Sequence, residues 1–147
     1  MGMEDVERIV AEPQHTIIPI VETQTPLLAE MDMAVLIAPP DRPFITSDAP
    51  CVWFDPEAST RPFPYNSTGL EWPKVEVTLP ISPRQMLVLN HQGLAGYMDA
   101  KNEVIDELNR RTRGHANEEF IANVSVADSH WYDMGPRGDS QEANKAT

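Results

Sequence analysis

The chain has 147 residues and a single cysteine, and its 23 acidic against 11 basic side chains give a formal net charge of −12. This length fits one domain, and the negative charge argues against duplex nucleic acid and anionic membrane surfaces as partners. One cysteine excludes an internal disulfide and a multi-cysteine zinc site. Charged residues interrupt the first thirty positions, so no signal-peptide apolar region is found there and we expect a cytoplasmic protein without a membrane span.

Proline divides the chain into two kinds of segment. There are 14 prolines, of which ten lie between Pro39 and Pro83 and none between Arg84 and Gly135. Each proline removes a backbone donor and disfavours helix in the residue before it. The middle of the chain is therefore expected to form short extended pieces and turns, and the proline-free stretch is where a long helix can form.

The first segment is predicted to be helical. Residues 3–12 carry apolar side chains at helical spacing, and Pro13 ends the pattern. Residues 14–31 predict a broken or kinked helix, with Thr25 as N-cap and Pro26 at the first helical position.

The apolar patterns between residues 33 and 124 predict an α+β fold, with a mostly antiparallel sheet and helices packed on one face. The predicted strands cover residues 33–38, 43–54, 74–79, 85–90 and 120–124. The fourth of these is more apolar than the alternating third strand and is expected at the centre of the sheet. A corner is expected from Pro80 to Pro83 and a loop around Gly93 and Gly96. The long loop at residues 55–73 is of a kind that is often functional or disordered.

The best helix is predicted over residues 100–113, with Asp99 as N-cap and Gly114 just beyond its end. Its buried stripe is expected to consist of Val104, Ile105, Leu108 and Thr112. Three cations in the last turn suit the helix dipole, although they could also contact phosphate: Arg110, Arg111 and Arg113. We expect a single domain over residues 1–132 and a disordered tail at 133–147.

Few residues suggest chemistry. The histidines are scattered without metal-ligand spacing, and no phosphate-binding glycine motif occurs, so we expect no metal and no cofactor. Cys51 is interpreted as a small buried apolar residue rather than a nucleophile. Thr46, Ser47 and Asp48 end an apolar strand, where they either form a catalytic group or close a turn through their own side chains. Asn109 lies in mid-helix and is expected either to bond across to a neighbouring segment, such as the Ser47–Asp48 turn, or to face solvent.

Three segments together resemble a bacterial family of unknown function, DUF4238. They are residues 42–50 (RPFITSDAP), 79–84 (LPISPR) and 105–109 (IDELN). The resemblance covers about residues 30–125 and implies that the chain is the C-terminal part of a larger protein or a short variant. It implies a fold unit and candidate residues but no reaction. The candidate binding residues are Thr46, Ser47, Asp48, Arg84 and Asn109.

Two functional classes follow from these patterns. The first is a binding or regulatory module, in which the loop at 55–73 and the Ser47–Asp48 turn form a recognition surface for a protein partner or a missing N-terminal half. The alternative is a hydrolase-like enzyme using Asp48 with Ser47 or His91. Binding is preferred because no acid–base or nucleophile–base pair follows from spacing. A hydrogen bond from His91 or His115 to Asp48 would favour the enzyme.

Overall fold

The computed structural model describes residues 14–125 and 128–132. The chain divides into two compact units, Met1–Met31 and Asp32–Thr147. The predicted helix at residues 3–12 and the predicted disordered tail at 133–147 lie outside the described residues. The prediction of one domain over residues 1–132 stays a prediction.

Helix α1 is the described element of the first unit and covers Gln14–Ala29. It continues through Pro19 and Pro26, so the predicted break is wrong and Thr25 lies inside the helix. A proline removes one main-chain hydrogen bond, and the bonds of the surrounding turns keep the helix together. Thr23 adds to them, since its hydroxyl donates to the Pro19 carbonyl at 2.7 Å. Among the described residues, no helix is both long and apolar enough to cross a bilayer.

The second unit contains the sheet that the sequence predicts. Among the described residues, its strands are β1 (Asp32–Ile37), β3 (Val52–Phe54), β4 (Glu76–Ser82), β5 (Gln85–Asn90) and β6 (Ala95–Asp99), in the order β3-β4-β5-β1-β6. Neighbouring strands are antiparallel except for β1 and β6, which are parallel. The α+β fold with a mostly antiparallel sheet is confirmed. Strand β5 is central, as its apolar sequence predicts.

Two details of this sheet differ from the prediction. Strand β4 runs past Pro80 to Ser82, with a bulge between these residues, so the corner begins later than expected. A bulge is a place where a sheet tolerates proline, because a ladder hydrogen bond is already missing there. Strand β6 replaces the predicted loop around Gly96. All five of its residues are exposed, so it carries no apolar alternation that the sequence could reveal.

The predicted strand at 43–54 is divided between two sheets. Its first part contains β2 (Thr46–Ser47), which pairs antiparallel with β7 (Phe120–Ile121) in a separate two-stranded sheet. Its second part is β3 of the main sheet. Pro50 lies between them and has no N–H to donate to a ladder. The predicted last strand at 120–124 is correspondingly shorter and does not join the main sheet.

Helix α2 covers Asn102–His115 and begins after Lys101, which makes no side-chain capping bond. The predicted caps are therefore wrong: Asp99 is the last residue of β6, and Gly114 lies within the final helical turn. Of the predicted stripe, the isoleucine, leucine and threonine are buried, but Val104 is 41% exposed. Asn109, which is 1% exposed, is buried in the same face.

The core lies between α2 and one face of the main sheet. It joins residues of β5, α2 and the connection that follows β1, namely Ala38, Phe44, Met86, Val88, Ile105 and Leu108. A short 3-10 helix at Ser129–Tyr132 packs against α2, and its Trp131 ring forms a T-shaped pair with the Phe120 ring, with 5.9 Å between the ring centroids. Helix α2 thus connects the main sheet to the small β2–β7 sheet.

Candidate functional site

Asn109 fastens helix α2 to the segment that enters β2. Its side-chain Oδ1 accepts a hydrogen bond from the Ile45 N–H at 3.0 Å. Its Nδ2 donates to the Pro43 carbonyl, also at 3.0 Å. Both bonds are buried, so the amide supplies the partners that an edge segment otherwise lacks. Asn109 thus bonds to a neighbouring segment rather than facing solvent, as one of the two expectations had it. The expected bond to the Ser47–Asp48 turn itself is wrong, because the partners are Pro43 and Ile45.

Asp48 fastens the same segment to the chain after α2. Its two carboxylate oxygens accept hydrogen bonds from the Asn117 N–H at 2.9 Å and the Glu118 N–H at 2.8 Å. Partial desolvation alone raises the pKa of the Asp48 carboxyl, but backbone donors led by Glu118 and Asn117 outweigh it and lower that pKa. The Ser47 hydroxyl accepts from the Ala49 N–H at 3.1 Å, which closes the expected turn. These polar groups therefore hold backbone in place.

Arg84 lies in the short connection between β4 and β5, directly before Gln85, and is exposed. Its Nε donates to the Ala38 carbonyl at 3.0 Å, and the Arg84 carbonyl accepts from the Ala38 N–H at 2.9 Å. In the residues that the structure describes, no carboxylate pairs with its guanidinium. The side chain is thus positioned by the hydrogen bond of its Nε.

A groove of about 310 Å³ opens between the β4–β5 corner and the small sheet. It is lined by Phe44, Ile45, Thr46, Pro80, Ile81, Ser82, Pro83, Ile121, Ala122 and Asn123. None of these lining residues is charged. Ile81 and Ile121 are 55% and 62% exposed, so each presents a large apolar side chain to an open surface.

The structure brings the predicted site residues to one region, but in two roles. Thr46 lines the groove, and Arg84 directly follows the lining residue Pro83. The Phe44 N–H donates to the Pro83 carbonyl at 2.7 Å, which joins two of the segments that line the groove. Ser47, Asp48 and Asn109 do not line the groove and instead fix the segment that does.

The arrangement expected of a hydrolase does not assemble around Asp48. His91 Nε2 lies 2.8 Å from the Leu70 carbonyl, and neither His91 nor His115 hydrogen-bonds to Asp48. In the part of the chain that the structure describes, no cluster of three His, Cys, Asp or Glu side chains is arranged to hold a metal. The interpretation of Cys51 as buried is wrong, because its side chain is exposed.

The three arginines at the end of α2 form ion pairs or ring contacts within the protein. Arg110 and Arg111 both pair with Glu107 at 2.8 Å, and the pair with Arg111 has i,i+4 spacing. The Arg111 guanidinium also pairs with Glu76 at 2.7 Å. Arg113 lies over the Tyr132 ring, 4.6 Å from its centroid. These contacts favour the structural interpretation of the run over a phosphate-binding one.

The loop at 55–73 is held together by Arg61. Its guanidinium forms an ion pair with the buried Asp55 and lies 3.9 Å over the Trp72 ring. Its Nε also donates to the Tyr65 carbonyl at 2.7 Å. The loop exposes two aromatic rings, with Phe63 86% exposed and Tyr65 61% exposed.

These aromatic residues are functional candidates that the composition alone did not single out. The available signal was their alternation with proline in residues 61–65 (RPFPY), since proline restricts the backbone around an exposed ring. The two exposed isoleucines of the groove had no such signal, because they come together only through the tertiary fold.

The chain belongs to the DUF4238 family of proteins of unknown function, whose family model matches residues 1–125. The family identified from the three sequence segments is therefore confirmed, and the match extends further toward the N-terminus than those segments do. No curated protein and no solved structure matches the chain.

Proposed function

We propose that this protein is a binding module whose groove accepts a small, largely apolar ligand. The observation that carries the proposal is the groove itself, about 310 Å³ in volume and lined entirely by uncharged residues. This volume lies at the lower end of the range for small-molecule sites, which are typically apolar clefts with a few polar groups. Here those polar groups come from Thr46, Ser82 and Asn123.

The groove is also held in a fixed shape, which favours binding. The segment at Phe44–Thr46 is secured on one side by the two Asn109 hydrogen bonds and on another by the Phe44–Pro83 bond. A preformed cleft binds without a large cost of ordering its own walls. The Ser47–Asp48 turn contributes by fixing the same segment to the chain after α2.

The test is a ¹H–¹⁵N NMR titration of the full chain with 1-octanol, an uncharged probe with an apolar tail. We expect shifts to concentrate at the amides of Thr46, Ile81, Ser82 and Ile121–Asn123. Ile121→Asp places a carboxylate on the apolar wall and should weaken binding by at least about tenfold, because the charge loses water when octanol enters. Ile17→Asp is the matched control, since Ile17 is similarly exposed at 57% but does not line the groove.

Two outcomes would overturn this proposal. One is an absence of saturable shifts in the groove amides of the wild-type chain. The other is equal binding by the Ile121→Asp and Ile17→Asp variants, which would place the apolar probe elsewhere on the protein.

A second candidate is a protein-contact surface on the loop at 55–73. It is supported by the exposed Phe63 and Tyr65 rings, since aromatic side chains on an ordered loop are frequent anchors of protein interfaces. The test replaces Phe63 by a photo-crosslinking phenylalanine analogue in cells. A discrete covalent adduct should form from position 63 and not from Tyr97, an aromatic residue of β6 that is 76% exposed. Equal labelling from both positions, or none from position 63, contradicts this role.

The hydrolase alternative has less support. The hydrogen bonds of Ser47 and Asp48 go to nearby backbone, and His91 bonds to a carbonyl of the loop before β4. Nucleophilic catalysis needs a nucleophile and a base within hydrogen-bond reach of each other. Hydrolysis of a p-nitrophenyl ester by the purified chain that is lost in both Ser47→Ala and Asp48→Asn would reverse this preference.

A further inference from the structure

We propose that the outer edge of β6 is a self-association surface, along which a second copy of this chain adds its own β6 in the antiparallel direction. No residue of β6 lines the groove, so this proposal is independent of the proposed function. It is carried by an unprotected sheet edge whose outward-facing backbone groups are self-complementary.

The first step is the direction of the backbone groups of β6. This strand is the last in the order of the main sheet and pairs on its inner side with β1. The Ala100 N–H donates to the Ile37 carbonyl at 2.9 Å. Because a strand turns alternate residues toward its neighbour, this bond and the register direct the backbone groups of Ala95, Tyr97 and Asp99 away from β1. In the described part of the chain, no loop or side chain forms a hydrogen bond to these outward groups.

The second step is a comparison of the two edges of the sheet. Strand β3 forms the opposite edge, has three residues and lies between Pro50 and Pro56. Short strands and prolines are features that protect an edge from further pairing. Strand β6 has five exposed residues, contains no proline or lysine and carries a single charge, at its last residue. It therefore lacks the features that prevent another strand from pairing with it.

The third step is the register, which selects a second copy as the partner. An antiparallel pair of β6 strands that uses all five residues has its two-fold axis at Tyr97. The two Tyr97 residues then lie opposite each other, and Ala95 lies opposite Asp99 of the second copy. All outward residues take hydrogen-bonded positions, where each pair exchanges two bonds. The two Asp99 carboxylates are not opposite each other, so a chain with a net charge of −12 forms this pair without a direct like-charge contact.

The fourth step is the apolar surface beside the edge. Tyr97 pairs with Val35 in the β1–β6 register, and Met33 precedes Val35 by two residues, so all three share one face of the sheet. The buried Ala34 belongs to the opposite face. Tyr97 is 76% exposed and Met33 is 57% exposed. A two-fold axis at Tyr97 brings the two rings side by side and removes part of their apolar surface from water, which favours association.

The association is expected to be weak. Five paired residues span about 17 Å, so the contact is smaller than the interfaces of stable complexes, which bury about 1,200–2,000 Å². We expect a dissociation constant of about 0.1–1 mM at physiological ionic strength. At low cellular concentrations the chain is then monomeric, and Tyr97 keeps its use as the comparison for Phe63 in the crosslinking test.

The first measurement is sedimentation equilibrium of the full chain from about 10 μM to 2 mM, a range that brackets the expected dissociation constant. We expect a monomer–dimer equilibrium without larger species, because a two-fold pair uses the free edge of both copies. In ¹H–¹⁵N spectra over the same range, the amides of Tyr97 and Asp99 should shift with concentration. The groove amides of Ile81 and Ile121 should not shift.

The second measurement uses disulfide formation to test the register. Both variants carry Cys51→Ser, because Cys51 is exposed. Tyr97→Cys places the two thiols on residues whose Cα atoms are about 5.5 Å apart, within the range that a disulfide requires. Ala95→Cys is the matched control, since it is also exposed on β6 but lies about 14 Å along the strand from its copy. Crosslinked dimer should form at least about tenfold faster from Tyr97→Cys than from Ala95→Cys.

The third measurement strengthens the contact by charge. Ala95→Lys places a cation opposite Asp99 in both halves of the pair and should lower the dissociation constant about 2- to 30-fold, as two cross-strand ion pairs permit. Gln92→Lys is the control, because it adds the same charge at an exposed residue before β6. It should change the dissociation constant less than about twofold. Unchanged amide dispersion establishes that each variant is folded.

Three results would overturn this proposal. One is a monomeric chain at every concentration, which would leave an extended segment of another protein as the remaining occupant of the edge. Another is equal crosslinking of Tyr97→Cys and Ala95→Cys, and the third is an Ala95→Lys dimer no tighter than that of Gln92→Lys. None of these measurements uses the groove, so the octanol titration succeeds or fails separately.

Discussion

Replacement of Asn109 by alanine is predicted to be among the most costly changes in this fold. The substitution leaves the Ile45 N–H and the Pro43 carbonyl without their buried partners, and each had been bonded at 3.0 Å. An unsatisfied buried polar group costs about 1–3 kcal/mol, so two such groups predict about 2–6 kcal/mol. The expected loss in the free energy of unfolding is about 3 kcal/mol or more, since the position is only 1% exposed.

The assay is urea unfolding followed by far-UV circular dichroism, with the slope of free energy against urea compared between variants. Thr112→Val is the matched control, because Thr112 is fully buried on the same helix and its hydroxyl bonds, among the described residues, to the Leu108 carbonyl alone, at 2.9 Å. When the hydroxyl is removed, the Leu108 carbonyl still accepts the helical N–H four residues later, so we expect the free energy of unfolding to fall by about 1 kcal/mol or less. If Asn109→Ala costs no more than Thr112→Val, the inference that this amide fastens α2 to the groove is refuted.

Three further predictions use the same measurement. Arg61→Ala should lower the free energy of unfolding by about 3–5 kcal/mol, because it leaves the buried Asp55 carboxylate without its ion-pair partner. Lys74→Ala breaks a mostly exposed ion pair and should leave stability within the usual range of surface changes. Equal costs for the two variants would contradict this reasoning. Leu108→Ala should lower the free energy of unfolding by about 2–5 kcal/mol, whereas Val104→Ala should lower it little, because the two side chains are 4% and 41% exposed. A larger loss for Val104→Ala would show that the core does not lie on the Leu108 face of α2. The pKa of Asp48 is lowered on folding, so its contribution to stability is present above the ordinary carboxyl pKa and is lost as the pH falls through the folded value. The stability advantage of wild type over Asp48→Asn should therefore shrink below about pH 4, and an advantage independent of pH would show that the carboxylate charge is not involved.

Where a local pattern decided the structure, the sequence predicted it correctly. The apolar run of β5 indicated a central strand, and the spacing of Ile105 and Leu108 indicated the buried face of α2. The i,i+4 pair of Glu107 and Arg111 is likewise set by helix geometry alone. The three motif segments identified the family because they are contiguous stretches of sequence.

Where a partner distant in the chain decided the structure, the sequence predicted it only in part or wrongly. Strand β6 has no buried residue, and it exists because β1 offers an edge with which it pairs in parallel. The mid-helix position of Asn109 suggests a bond to a neighbouring segment, but which carbonyl and which N–H it meets depends on how residues 43–45 pack against α2. The predicted N-cap of α2 is wrong for a related reason. Asp99 pairs with β1 as the last residue of β6, so strand pairing outweighs its local preference for capping a helix.

The candidate site depended on the tertiary structure most of all. The strand-end position named Thr46 and the family resemblance named Arg84, but neither signal predicted a cleft, and of the two residues only Thr46 lines it. The groove arises because a bulge carries β4 past Pro80, and because β7 pairs with β2 and so brings Ile121 to the same groove as Ile81. Neither event has a local signature, since each depends on free energies of contact between segments far apart in the chain. The sequence by itself determined the fold class, the family and the polar residues worth examining; the tertiary contacts decided which of those residues hold the backbone and which face an open groove.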